Sequence, residues 1–150
     1  MVKAIPQHSG YFTAEQANEM LPLLRRIVRD WMRLSDTVQS QQAQREGLKM
    51  LHQTVDRKAY SEELAEVEQS LVEDHDRLED CCEELRSLGV ELHSPEDGSV
   101  DFPALLDGRE VRLCWRAGEP TVEYWHEIGQ PHARRRYPGS HTSRMGIEDV

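Results

Sequence analysis

Apolar residues recur at helical spacing through Leu21, Leu24, Ile27, Val28, Trp31, Leu34 and Val38. This spacing predicts an amphipathic first helix. Thr13-Ala-Glu-Gln16 opens it as a capping box, in which Thr13 accepts from the Gln16 amide and Gln16 reaches back. Phe12, just outside the cap, is placed to pack on Ala17. Pro22 falls inside the run, removes one amide donor and crowds the Asn18 carbonyl, so a kink or break is expected there. The stripe weakens through Gln39 to Gln44 and again at Gly47, although the helix can run on toward Leu51. A second stripe is more regular. Leu64, Val67, Leu71, Asp74, Leu78, Cys81, Leu85 and Leu88 alternate by threes and fours, a heptad seam with one polar member. Ser61 is its expected cap, with Glu62 and Glu63 at the positive helix end. Gly89 ends it, and Val90 is expected to close back on Leu85.

Beyond Gly89 the period shortens to two. Val90–His93 reads as a short strand, Pro95–Gly98 as a turn, Val100–Phe102 as a second strand, and Asp107-Gly108 as another turn. Val111–Arg116 and Thr121–Glu127 then form a hairpin around Ala117–Pro120. The expected register sets Trp115 against Val122, Leu113 against Tyr124 and Val111 against His126. Strand side chains alternate, so Val111, Leu113, Trp115, Val122, Tyr124 and His126 share the face turned to the helices. Arg112, Cys114, Arg116, Glu123, Trp125 and Glu127 share the other, with Arg112 opposite Trp125 at cation–π range. The expected class is α+β, mainly α: a long antiparallel helical hairpin followed by a small antiparallel β-ribbon. Its parts are an N-terminal extension over 1–12, the hairpin over 13–88, the ribbon over 89–128 and a disordered tail over 129–150.

Charge supports the hairpin. The first helix carries Arg25, Arg26, Arg29 and Arg33, whereas the second carries a long series of exposed acids from Glu62 to Glu84. Opposite fields choose the partner surface, although each exposed pair contributes only ~0.5 kcal/mol. With 37% hydrophobic and 31% charged residues, the chain has a small core for its 150 residues. A two-helix hairpin buries one stripe per helix, so either the ribbon or a second copy must cover it; a homodimer through the hairpin is expected. The net charge of −10 disfavours nucleic acid and anionic membranes as partners. No apolar run approaches the roughly 20 residues of a membrane span. Three cysteines, two of them the neighbours Cys81 and Cys82, cannot all pair within one chain, and reduced thiols in a cytoplasm are the simplest expectation.

The candidate chemistry lies in the ribbon, where two of the three tryptophans, Cys114, Arg112, Arg116 and His126-Glu127 fall within one hairpin. His126 is either a core-edge histidine bonded to one carbonyl or a metal ligand or proton carrier. Arg116 is either salt-bridged, with Glu123 in reach, or an anion clamp. Cys114 stands beside arginines that would lower a thiol's pKa, but a lone strand cysteine is more often a packing residue. Familiar motifs fail: His126-Glu127 lacks a second histidine four residues on, and Glu123-Tyr-Trp-His126 puts its two ligands on opposite faces of a strand.

Three stretches together resemble a small bacterial family catalogued as domain of unknown function 2203. They are Phe12–Asn18 leading into Leu21-Pro-Leu-Leu24, Leu88–Leu92 with Val100–Pro103, and Leu113–Glu119 with Tyr124–Glu127. The resemblance spans residues 12 to about 127. It implies a cytosolic helical hairpin with a C-terminal ribbon, supplies no reaction or cofactor, and makes Asp101, Arg116, Glu119, Trp125, His126 and Glu127 the signature positions. The expected function is an interaction or small-ligand-binding protein, with Asp101, Arg116, Glu119 and Trp125 lining the ligand. The alternative is a metal-binding protein or small enzyme using His126 and Glu127 with a nearby carboxylate. A third reading makes it a structural coiled-coil adaptor whose ribbon merely caps the hairpin.

Overall fold

The computed structural model describes residues 10–51 and 56–136. The outer ends of the expected extension and tail, and the link between the helices at 52–55, lie outside them.

Helix α1 spans Ala14–Met50, and both halves of the capping box form: the Gln16 amide donates to Thr13 Oγ1 at 3.0 Å and the Thr13 amide to Gln16 Oε1 at 2.9 Å. The expected break at Pro22 does not occur, and the helix runs through it. A proline inside a helix costs about 3 kcal/mol. Here Ala17, Met20, Leu21 and Leu24 are buried on both sides of it, and that burial outweighs one lost hydrogen bond.

Helix α2 spans Arg57–Ser87 and starts one turn before the expected Ser61. Asp56 is the cap, accepting from the Ala59 amide at 2.9 Å. At the other end Gly89, at φ 94°, donates to the Arg86 carbonyl and stops the helix in a conformation that favours glycine. Cys81 Sγ donates to the Ile27 carbonyl at 3.5 Å and Gln41 to Asp74 at 2.8 Å. These two links run in opposite senses along the helices, so the hairpin is antiparallel. Val67, Leu71, Cys81 and Leu85 of the seam are buried, and its polar member Asp74 is satisfied by Gln41 and Arg77. No helix of the described residues is long and apolar enough to cross a membrane.

Five antiparallel strands follow as a meander in chain order: β1 Glu91–Ser94, β2 Ser99–Leu106, β3 Arg109–Trp115, β4 Tyr124–His126 and β5 Arg135–Arg136. β2 and β3 are joined by Asp107-Gly108 with φ 55° and 76°. Positive φ at both central residues is the two-residue turn whose twist matches the flanking strands. Val100, Phe102 and Ala104 of β2 and Val111, Leu113 and Trp115 of β3 are all buried, and they form one core with Leu24, Val28, Trp31 and Leu85 of the helices. The ribbon therefore covers the hairpin's apolar stripe. Phe12 locks the entrance to α1 onto the sheet: its amide donates to the Pro103 carbonyl at 2.7 Å and its ring meets Phe102 edge-on at 5.2 Å.

Two further expectations change. Residues 129–136, assigned above to a disordered tail, carry β5, whose residues pair with Tyr124 and Trp125. The register of β4 is shifted by one. Leu113 faces Trp125, Cys114 faces Tyr124 and Arg112 faces His126. A one-residue slip reverses every side chain of a strand. Trp125 thus joins the helix-facing core, and Tyr124 and His126 lie on the outer face with Arg112 and Cys114.

Candidate metal centre

The outer face of the sheet brings three donors together. Asp101 on β2 and Cys114 on β3 are cross-strand partners, and His126 on β4 sits one row along. The Asp101 carboxylate oxygen, Cys114 sulfur and a His126 ring nitrogen lie within 4.8 Å of one another. All three residues are buried, at 7%, 5% and 3% exposure.

The hydrogen bonding of His126 defines what its free nitrogen can do. Nδ1 lies 2.9 Å from the Glu127 carbonyl oxygen. A carbonyl only accepts, so Nδ1 carries the hydrogen. Nε2 of the neutral ring is then a bare lone pair. It is buried, makes no hydrogen bond, and stands 3.2 Å from Asp101 Oδ1. Two acceptors facing each other away from water repel. A proton between them answers this, and so does a cation held by both. The Cys114 sulfur, a third donor at the same point, suits the cation.

Burial pushes the Cys114 thiol up to about 11, with Asp101 adding to the rise and Arg134 opposing it. The expectation that neighbouring arginines would lower it is therefore corrected: lost hydration of the thiolate outweighs the nearby guanidinium. A cysteine of this kind is protonated and inert at neutral pH unless a metal displaces its proton.

Arg134 closes the site from the side of the β3–β4 connection. Its Nη2 donates to both oxygens of Glu119 at 2.8 Å and its guanidinium lies 4.2 Å over the ring of Tyr124, the cross-strand partner of Cys114. Its Nε is buried without a partner.

The signature positions separate on this geometry. Asp101 and His126 meet. Glu119 holds Arg134 and also accepts from the Arg116 amide at 3.0 Å. Arg116 is exposed, 3.6 Å from Asp97 rather than paired with Glu123. Glu127 contributes its carbonyl to His126, but its carboxylate turns away to Arg109 at 2.9 Å and Arg135 at 3.6 Å. Trp125 lies on the opposite face with Arg109 and Arg135 over its ring at 5.6 and 4.8 Å. The expected Arg112–Trp125 contact is replaced by Arg112 bound to Glu91 at 2.7 Å and Glu110 at 3.3 Å, because the register shift puts Arg112 and Trp125 on different faces.

Cys114 as a donor and Arg134 as its neighbour were the residues that pattern alone did not bring in. A signal for Cys114 was present. A two-residue turn at Asp107-Gly108 pairs Leu106 with Arg109, and counting outward pairs Asp101 with Cys114, as observed. No comparable signal placed Arg134, since two-residue β5 is too short to read.

A family model described as an uncharacterized conserved protein (DUF2203) matches residues 10–137, a span that includes Asp101, Cys114, His126 and Arg134. No curated protein and no solved structure matches the chain.

Proposed function

We propose that this chain, which belongs to the DUF2203 family of uncharacterized conserved proteins, binds one transition-metal ion through Asp101, Cys114 and His126. The observation that carries the proposal is His126 Nε2, buried without a hydrogen-bond partner, 3.2 Å from a carboxylate oxygen and beside a thiol. Zinc fits the set best, since it takes imidazole, thiolate and carboxylate together and tolerates three protein ligands. The Nδ1 hydrogen bond to the Glu127 carbonyl is the outer support that metal-ligating histidines use to fix their tautomer. The metal would also balance the buried Asp101 carboxylate and the thiolate that Cys114 becomes on binding it. The free cysteines Cys81, Cys82 and Cys114 support a reducing cytoplasm as the setting.

Elemental analysis of protein purified without an affinity tag tests this. Stoichiometric zinc is expected in the wild type and sub-stoichiometric zinc in Cys114→Ser and His126→Gln, each still folded by circular dichroism. Wild type that takes up no zinc, cobalt or iron from reducing buffer would overturn the proposal. So would a Cys114→Ser variant that holds metal with unchanged affinity.

A further inference from the structure

Three protein donors leave one position of a tetrahedral ion open, and in such sites water or a substrate fills it. Building on the metal reading above, we propose that this position takes a small oxyanion, of carboxylate or carbonate size, whose second oxygen is held by Arg134.

The argument begins with unmet hydrogen bonds. Among the described residues, four buried side-chain atoms have no hydrogen-bond partner: Gln41 Oε1, Arg45 Nε, His126 Nε2 and Arg134 Nε. The first two belong to α1, in the hairpin. The last two lie beside one sulfur, His126 Nε2 as a member of the donor cluster and Arg134 stacked on Tyr124, the cross-strand partner of Cys114. They are opposites: one is an acceptor without a donor, the other a donor without an acceptor. A metal ion satisfies only the first. An anion that ligates the metal with one oxygen and accepts from Arg134 with another satisfies both. A guanidinium N–H bonded to a charged acceptor is about twice as strong as a neutral pair.

Arg134 is also held in place for this role. Glu119 grips one of its terminal nitrogens from two sides and Tyr124 stacks beneath it, so its Nε direction is set before a ligand arrives. Enclosure sets the size of the ligand. The three donors are buried, so a small anion suits the site better than a bulky phosphate ester.

Cobalt-loaded full-length protein tests the inference with sodium formate as the probe. A thiolate-to-cobalt absorption band reports that the metal site is built. Formate should then shift the visible cobalt bands saturably. Arg134→Met should keep the thiolate band but weaken formate by at least about tenfold, and Arg134→Lys should recover part of the loss. If the thiolate band is present and formate moves nothing, the position is closed to anions: this inference fails and the metal reading stands. If formate binds wild type and Arg134→Met alike, Arg134 has no part and the inference fails in the same way. If no thiolate band appears, the metal reading fails and takes the inference with it. Should Arg134→Met not fold, the comparison of wild type with Arg134→Lys decides, and equal formate affinity overturns the role of the guanidinium.

Discussion

Asn18 and Val122 are joined as two strands would be. Asn18 Oδ1 accepts from the Val122 amide at 2.7 Å, and Asn18 Nδ2 donates to the Ala14 carbonyl at 2.9 Å and the Val122 carbonyl at 3.4 Å. A side chain in the second turn of α1 thereby supplies the backbone partner that the β3–β4 connection lacks, and Val122 is fully buried. Asn18→Ala should leave that amide without a partner and cost about 1–3 kcal/mol. Urea unfolding checks this, and an unchanged midpoint would mean that water replaces the side chain.

Gly98 is required twice over. Its φ is +65°, and a Cβ there would meet Met32 Sδ at 2.7 Å, Ala117 Cβ at 2.8 Å and Val28 Cγ1 at 3.0 Å. Met32 can swing away, but the Ala117 and Val28 atoms cannot. Gly98→Ala should therefore cost about 2–5 kcal/mol, combining backbone strain with overpacking. Gly118, at φ +98°, has open space around it, so Gly118→Ala should cost only about 1–2 kcal/mol. Thermal melts of the pair should separate clearly. Equal losses would refute the packing argument.

Stability should fall in alkali through Cys81. Burial is the largest cause that pushes this thiol from its ordinary 9.0 to about 11. Between those values the unfolded chain has lost the proton and the folded chain keeps it. The folded state binds more protons, so the contribution is fully present below pH 9.0, declines as pH rises, and is gone once pH passes about 11. Denaturant midpoints across this window should fall less steeply in Cys81→Ala than in wild type. Parallel pH profiles would show that the thiol does not titrate there.

Although the ribbon covers the hairpin's inner stripe, we propose a homodimer through apolar side chains left exposed on the hairpin. Leu71 is buried within the single chain, so its substitution by aspartate would unfold the hairpin rather than separate two copies. Val72 next to it is 59% exposed, and Met50 and Leu51 are exposed near the end of α1. Light scattering at micromolar concentration should give twice the chain mass for wild type and the chain mass for Val72→Glu, with helix content unchanged. A monomeric wild type would end the idea.

The helices were legible because each carries a long stripe with a local punctuation mark: the Thr13–Gln16 box and Gly89 stand where the sequence sets them. The errors come from competition between local and tertiary terms. Pro22 argues for a break and loses to the burial around it. Ser61 is an adequate cap but loses to Asp56, whose carboxylate caps a helix one turn longer. The ribbon was legible as a meander but not in its last register. Val122, Tyr124, Trp125 and His126 contain aromatic rings in both alternating sets, so neither set is the apolar one by composition. Tertiary links chose between them. The candidate site followed that choice, which is why Asp101 and His126 were singled out from sequence while their meeting through Cys114 was not.

The connection from Arg116 to Glu123 is anchored at several points: Trp115 Nε1 donates to the Glu119 carbonyl at 2.9 Å, Arg25 to the Pro120 carbonyl at 2.7 Å, and Asn18 grips Val122. A loop fixed at so many places has no slack in which to hide an added or missing residue. One insertion there would have to be absorbed by β4, exchanging Trp125 for His126 across the sheet. The indole would then face the Asp101 carboxylate and the imidazole would enter the core. Substitutions at exposed Gly118 and Thr121 leave that arithmetic untouched. In evolutionary terms the segment is more tightly fixed in length than in composition, and a deletion scan of 117–121 should be less tolerated than substitutions at its exposed positions Gly118 and Thr121.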